Sequence, residues 1–330
     1  MRDALQDWFE RAARPLPWRD GRRDAYRTLV VEVLSQQTRI ATVEARLPGF
    51  LARFPDLATL AAADLDEVLA VWSGLGYYRR ARALHALARA VVADHGGRLP
   101  REPDALQRLP GIGPYTATAL AAQAFGVPGV AVDGNVRRVG ARLLAAPDPS
   151  DREVRSALTA LLWGDEPHDG QGAFVAEALV ELGATVCTPR APACPECPLR
   201  PGCRGAADGD PTRYPAPRRR TAPRPWTLHA WLVVDRDADG GAVVAVERRA
   251  DRGPWAGLHG PPWRDEPPPD AEPLARFVHR LSHRTIDAHV WRASAPPEDA
   301  DVRWLAAADL AGLGTAEIDR RAFALVAATR

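Results

Sequence analysis

Cys187, Cys194, Cys197 and Cys203 are the only cysteines in 330 residues, and their spacing is C-x6-C-x2-C-x5-C. Four thiolates so close together, interleaved with Pro and Gly, can converge on one inorganic centre. Structural zinc is one occupant, although four-cysteine zinc sites usually use two C-x2-C knuckles and this chain has one. A [4Fe-4S] cluster needs thiolates of uneven reach around a cube, which this spacing offers. Confinement to one stretch argues against disulfides stapling the whole fold. Nothing nearby reads as a redox substrate site. The expected task is therefore mechanical, fixing a loop that presents Arg190, Arg200 and Arg204 toward phosphates.

A second stretch, Leu109-Pro110-Gly111-Ile112-Gly113-Pro114-Tyr115-Thr116, reads as a tight hairpin between two helices. Residues 103–109 can form a short helix, and 114–125 are rich in helix formers with Pro in the first turn. Gly111 and Gly113 are then expected to adopt positive φ angles, which are cheap for glycine. Backbone N–H groups of such a turn, at the positive end of a helix dipole, converge into an anion site suited to a phosphate. A helix–helix turn without a ligand is the plainer alternative. Asp133-Gly134-Asn135 follows this hairpin.

Composition narrows the chemistry. Net charge is +1, so a polyanionic partner must be met by a local patch. The chain contains no Lys, and apart from His every basic side chain is Arg. Arg suits bidentate phosphate contacts, while no lysine amine exists for Schiff-base chemistry. Asn occurs once, at Asn135, and Met only at position 1. With no N-terminal apolar segment and no long apolar run, a soluble, cytoplasmic protein with no membrane partner is expected.

These residues must be positioned by two domains, for which the length suffices. From Met1 to about Gly183 the pattern predicts helices joined by short turns. Tyr26, Leu29, Val30, Val33 and Leu34 recur at helical spacing. Further helices are expected over 64–72, 79–93, 136–144, 151–162 and 173–182. Residues 205–225, which include Arg218-Arg219-Arg220, read as a Pro/Arg-rich linker. Strands are expected over Thr227–Val234, Ala242–Glu247 and Thr285–Trp291, with a closing helix over Arg321–Ala328. The division is a mainly α domain at 1–204 containing the Cys loop at 187–203, the linker, and a smaller α+β domain at 226–330.

Together these motifs resemble the helix-hairpin-helix base-excision glycosylases, and most closely the adenine DNA glycosylases of the MutY kind. Leu16-Pro17-Trp18-Arg19, Glu32-Val33-Leu34-Ser35-Gln36-Gln37-Thr38 and Trp72-Ser73-Gly74-Leu75-Gly76-Tyr77-Tyr78 occur in family order. The hairpin, Val132-Asp133-Gly134-Asn135-Val136 and Glu181-Leu182-Gly183-Ala184 follow, so nearly all of residues 1–204 is covered. The C-terminal domain resembles the MutT-like (nudix-like) module that recognises 8-oxoguanine. Arg252-Gly253-Pro254-Trp255-Ala256-Gly257-Leu258 and Leu281-Ser282-His283 carry that likeness.

Adenine leaves poorly as an anion, so breaking its glycosidic bond calls for an acid on the base. It also calls for a negative group beside an oxocarbenium-like sugar. The resemblance implies Glu32 for the first role and Asp133 for the second, with Tyr115 and Asn135 beside the extruded adenine. Helical spacing is compatible, since Glu32 lies away from Leu29, Val30, Val33 and Leu34. A solvated surface Glu would show the same pattern, and Asp133 has the simpler role of a helix N-cap. Arg14, Arg19 and Glu177 are also implied around the adenine, with ordinary salt bridges as the alternative.

Flipping a base out of a duplex leaves a gap that a wedge must fill. By resemblance Gln37 fills it, with Leu75 and Tyr77 flanking Gly76 on a loop expected to be exposed. Gln36, Thr38, Gly111 and Gly113 are implied in DNA binding, and Arg79, Arg80 and Arg82 in holding phosphates. Trp72 is expected in the core. Tyr115 occupies the place of a nucleophilic Lys in bifunctional relatives, so lysine-driven strand nicking is not expected. For the four cysteines the resemblance favours the [4Fe-4S] cluster.

Leu281-Ser282-His283 matches a Phe-Ser-His loop that contacts 8-oxoguanine in the family, where Ser and His can bond its N7–H and O8 edge. Leu here removes an aromatic contact. The run Pro261-Pro262-Trp263-Arg264-Asp265-Glu266-Pro267-Pro268-Pro269 lacks the Glu-rich metal-binding helix of nudix hydrolases, so nucleotide hydrolysis is not expected. Ser35 stands where many relatives carry Leu. The resemblance implies a monomeric, monofunctional base-excision enzyme acting on adenine opposite 8-oxoguanine, or G, in double-stranded DNA. A helix-hairpin-helix glycosylase of another base preference, or a non-catalytic lesion-binding protein, is the alternative.

Overall fold

The computed structural model describes residues 1–19, 24–164, 172–217, 222–250 and 253–326. Helices come first: α1 (Arg2–Ala12), α2 (Ala25–Ser35), α3 (Ile40–Arg53), α4 (Leu57–Ala62), α5 (Leu65–Val71) and α6 (Arg79–His95). They continue with α7 (Pro103–Gln107), α8 (Pro114–Phe125), α9 (Gly134–Leu144), α10 (Asp151–Leu162), α11 (Gly172–Thr185) and the short α12 (Arg204–Ala207). The helices expected from spacing before the cysteine stretch are present, and several carry a start signal. Ser150 and Glu153 form a capping box at α10, and Asp133 caps α9.

The described residues form two compact units, 1–61 with 86–219 and 62–85 with 220–330. In the first, Leu5 and Trp8 of α1 share a core with Val136 and Val139 of α9, Leu158 of α10 and Leu179 and Leu182 of α11. Each such side chain contributes about 1.5–3 kcal/mol of burial. Helix α8 packs against α2, α7 and α11. Its Ala117, Ala119, Ala121 and Ala122 are buried, and their small side chains let these backbones come close.

The hairpin differs from expectation in one detail. Gly111 has φ +75° as anticipated, but Gly113 has φ −88° and is the extended N-cap of α8. Only the first glycine therefore needs left-handed backbone, because the turn has already closed when Pro114 sets the helix direction.

The second unit contains α5 and the start of α6. To these it adds β1 (Arg224–Leu232), β2 (Val234–Arg236), β3 (Ala242–Arg248), β4 (His259–Gly260), β5 (Trp263–Arg264), β6 (Glu272–Arg280), β7 (Arg284–Arg292), β8 (Val302–Ala306) and α13 (Glu317–Phe323). One sheet has the order β5-β1-β7-β6; the other runs β2-β3-β4, with β8 also on β3. Strands β1 and β7 are parallel in register Arg224↔Arg284 to Leu232↔Arg292. Ala230, Leu232, Val244, Val246 and Val290 pack with Ala322 and Phe323 of α13, an α+β core. Thr315 draws residues 62–85 into this unit, its carbonyl accepting from Ser73 Oγ (3.2 Å) and the Tyr78 hydroxyl (2.6 Å).

Strands β4, β5, β6 and β8 were not expected. In β6 the pattern is broken by Pro273, beside which the register with β7 shifts. An edge strand tolerates both the proline and the exposure. The closing helix begins earlier than expected, at Glu317, and the end of its expected span, residues 327 and 328, lies outside the described residues. Arg218-Arg219-Arg220 and Arg252 also lie outside them. Among the described residues no helix is long and apolar enough to cross a membrane.

Candidate active site

Glu32 leaves α2 on the side facing α8. Gln123 Nε2 of α8 donates to its Oε1 at 2.7 Å, and the Tyr115 hydroxyl is also hydrogen-bonded to it. Burial pushes the Glu32 carboxyl up to about 7, aided by repulsion from Asp133 and Glu177 and opposed by the Gln123 and Tyr115 bonds. A carboxyl titrating near neutrality can hold a proton and release it, as a general acid must. Burial beside Glu32 and Asp133 raises Tyr115 well above the ordinary phenol range, so it stays a neutral hydroxyl.

Asp133 takes the N-cap role considered for it. Its Oδ1 accepts the Val136 amide at 2.7 Å as the N-cap of α9, and its Oδ2 accepts Asn135 Nδ2 at 2.9 Å. Asn135 Oδ1 in turn accepts from Arg138 at 2.9 Å, and Arg138 also donates to the Gly183 and Cys187 carbonyls (2.7 and 2.8 Å). Helix α9 thus ties the carboxylate to α11 and to the cysteine stretch. Close approach of α11 requires Gly183, where a Cβ would stand 2.6 Å from the Asn135 Cβ.

Arg14, Arg19 and Glu177 gather as expected, but through a residue sequence reasoning did not single out. Glu181 is fully buried. Its Oε1 accepts from Arg14 N and Nε (3.1 and 2.7 Å), and its Oε2 from Arg14 and Arg19 (2.9 and 3.1 Å). Arg19 Nε donates to Glu177 at 3.0 Å. Burial raises the Glu181 carboxyl, but the bonds and charges of the two arginines outweigh it and hold it below its ordinary value. The salt-bridge reading therefore holds for both arginines. Phe9, Trp18, Arg19, Thr28, Gln123 and Glu177 line a pocket of about 280 Å³, near the lower bound for small-molecule sites. A larger hollow in the second unit, along 264–270 and 293–299, contains none of the candidate residues.

Gln36 Nε2 reaches Thr116 Oγ1 of α8 at 3.4 Å, and Thr38 Oγ1 reaches the Gln36 carbonyl at 3.4 Å. Gln37 is exposed at φ +57°, a left-handed conformation that costs a non-glycine residue and tends to mark functional segments. In the second unit the 74–77 loop corrects expectation. Tyr77 is 39% exposed, but Leu75 is 8% exposed and packed inward. Arg80 is also buried, stacked on Trp72 and Tyr77 and donating to the Leu75 and Gly76 carbonyls, so it braces the loop instead of offering a phosphate contact. Arg82 donates to the Ala256 carbonyl; Arg79 stays exposed. Trp72 is in the core as expected. Leu281, Ser282 and His283 form the tip of the β6–β7 hairpin, closed by Leu281 N to Arg284 O at 2.9 Å, with Ser282 and His283 exposed.

The four cysteines line one small cavity together with Arg142. No three His, Cys, Asp or Glu among the described residues stand grouped as ligands of one metal ion. The donors nonetheless suit a thiolate-held centre. Arg142, 2% exposed, donates to Cys187 Sγ at 3.2 Å and to the Thr188, Pro189, Pro211 and Tyr214 carbonyls. A buried guanidinium offsets thiolate charge. Burial pushes the bare Cys197 thiol up to about 11, so a bound centre must displace protons. Arg190, Arg200 and Arg204 are exposed around this loop. Gln123, Glu181, Arg138 and Arg142 were missed as site residues; the one local signal was a long amide in an alanine-rich helix.

An acid near neutrality, an Asp that caps the following helix and a Gly hairpin between them in sequence make up a helix-hairpin-helix arrangement. Residues 30–162 match the model of the HhH-GPD superfamily base excision DNA repair protein. The structure titled "Structure of a thermostable thymine-DNA glycosylase" aligns with a TM-score of 0.56 at 28% identity, covering 62% of this chain and 94% of that one. A non-covalent endonuclease III–DNA complex aligns at 0.52 and 28%, covering 63% and 94%. The adenine DNA glycosylase of Mycolicibacterium smegmatis is 41% identical over 209 residues, 63% of this chain and 70% of that protein. That of Homo sapiens is 44% identical over 213 residues, 62% of this chain and 39% of the human protein. The chain belongs to the adenine DNA glycosylase family. It spans 62% of the length of the Mus musculus relative and 65% of that from Rattus norvegicus.

Proposed function

We propose that this chain is a monofunctional DNA glycosylase that hydrolyses the N-glycosidic bond of adenine mispaired with 8-oxoguanine, or G, in duplex DNA. The observation that carries this reading is Glu32, an acid poised at about 7 with Asp133 and Tyr115 as its neighbours. In this mechanism protonated Glu32 gives its proton to adenine N7. The C1′–N9 bond then breaks with its electron pair leaving on the base, and the positive charge on the sugar meets the Asp133 carboxylate. Water adds to C1′ and its proton returns to the carboxylates. Tyr115 and Asn135 orient the two acids. Arg19 and Glu177, at the pocket wall, face the base, and Arg14 holds Arg19's partner Glu181 in place.

Release of the base without strand breakage is consistent with a chain that lacks Lys. Gln36, Gln37, Thr38, Gly111 and Gly113 are assigned to the DNA backbone and gap, with Gly76 and exposed Tyr77 on the second unit; Leu75 supports Tyr77 from within. Leu281, Ser282 and His283 are assigned to the oxidised base. Cys187, Cys194, Cys197 and Cys203 would hold a [4Fe-4S] cluster, which supplies rigidity to the loop carrying Arg190, Arg200 and Arg204. The partner is double-stranded DNA, met by a monomer in the cytoplasm.

Duplexes bearing A opposite 8-oxoguanine, G, C or T, incubated under single-turnover conditions and read with and without alkali, test this. Release of A opposite 8-oxoguanine and G, with strand breaks only after alkali, is expected. Release of another base, no release, or prompt breaks without alkali would overturn it.

A further inference from the structure

The two oxygens of the Glu32 carboxyl are not equivalent. Gln123 Nε2 donates to Oε1 at 2.7 Å, and the same Gln123 lines the pocket with Arg19 and Glu177. We infer that Gln123 is a positioning residue that selects which Glu32 oxygen carries the acidic proton. This rests on the acid role proposed for Glu32. An amide NH₂ only donates, so an oxygen facing it must stay an acceptor. When Glu32 is protonated, Oε1 is therefore its carbonyl oxygen and the proton sits on Oε2. Without that anchor only the Tyr115 hydroxyl, which can donate or accept, holds the carboxyl, and either oxygen can carry the proton.

The same bond acts on the other side of the transfer. Once the proton has left, Gln123 stabilises the carboxylate, a charge-assisted hydrogen bond stronger than a neutral one. Three further groups bear on Glu32: Tyr115 from α8, Asp133 at the N-cap of α9 and Glu177 from α11. The two carboxylates favour the protonated form, as burial does, and the Gln123 bond opposes them. Gln123 thus sets both the direction of the proton and the upper limit of the midpoint.

Gln123→Leu and Gln123→Met remove the donor at similar side-chain volume; two variants guard against one failing to fold, which circular dichroism checks. Two readouts apply. Titration of the Glu32 carboxyl in the free protein, by 13C NMR referenced to Glu32→Gln, is expected to move to higher pH in both variants. Single-turnover adenine release is expected to fall about tenfold at its low-pH plateau while its descending limb moves to higher pH. A merely structural role would lower the plateau and leave the limb in place. An unchanged carboxyl midpoint, or an unchanged plateau, overturns the inference. If the wild-type protein releases no adenine, the acid role falls instead, and the carboxyl titration still reads the Gln123 bond.

Discussion

Asn135 donates from Nδ2 to Oδ2 of Asp133 at 2.9 Å, while the cap bond from Val136 occupies Oδ1. Both oxygens of the carboxylate proposed to face the sugar are thereby held from its own helix. Asn caps a helix about as well as Asp, so Asp133→Asn is expected to keep the thermal midpoint within a few degrees. It removes the charge, and excision is expected to fall at least about 100-fold. Near-normal single-turnover release by the folded variant would remove Asp133 from the chemistry, and loss of fold would contradict the equivalence of the two caps.

Glu32 leads to a stability prediction with a definite sign. Its folded-state value of about 7 lies above the ordinary carboxylate value of 4.5, so the folded state binds its proton more tightly. The stability from this proton is fully present below about 4.5 and is lost as pH rises through 7. Glu32→Gln, which keeps a partner for Gln123, is expected to be about 3 kcal/mol more stable than wild type at pH 8. Near pH 4 the two are expected to agree. Urea unfolding at both pH values measures it.

Local signals made the hairpin, the Asp133 cap and most helices of the first unit legible in the sequence, because each depends on residues a few positions apart, whereas the closing helix, expected from Arg321, begins at Glu317. Glu32 was ambiguous for the opposite reason. A surface Glu and an enclosed one share the same spacing on α2, and only packing of α8 and α11 makes the distinction. Leu75 and Tyr77 look alike between glycines, yet tertiary packing buries one and exposes the other. Gln123 and Glu181 act across 91 and 162 to 167 residues of chain, which no local pattern reaches.

Glu181 supports the pocket wall from beneath. Glu181→Gln leaves Arg14 and Arg19 facing a neutral amide in a fully buried position, and is expected to cost about 3 kcal/mol. Because the carboxyl is held below its ordinary value, wild type should lose this contribution as pH falls through the acid range, whereas the variant should not. Equal acid sensitivity of the two proteins would contradict the assignment.

Gly183→Ala places a methyl against the Asn135 Cβ. Overpacking of this kind costs about 1–3 kcal/mol, and displacement of Asn135 should also lower excision. Restoration of the rate by a second change that only restores stability would show that Asn135 had not moved.

Cys197→Ser is expected to abolish the brown colour and bound iron and sulfide of aerobically purified protein. Zinc in place of iron in the wild type, by elemental analysis, would replace the cluster with a structural zinc.

The most direct measurement of the central chemistry is the pH–rate profile of single-turnover adenine release by wild type beside Glu32→Gln. The expected result is a wild-type rate that falls through a midpoint near 7 as pH rises, with negligible release by the variant at every pH. A rate that climbs with pH, or substantial release by Glu32→Gln, would contradict Glu32 as the acid.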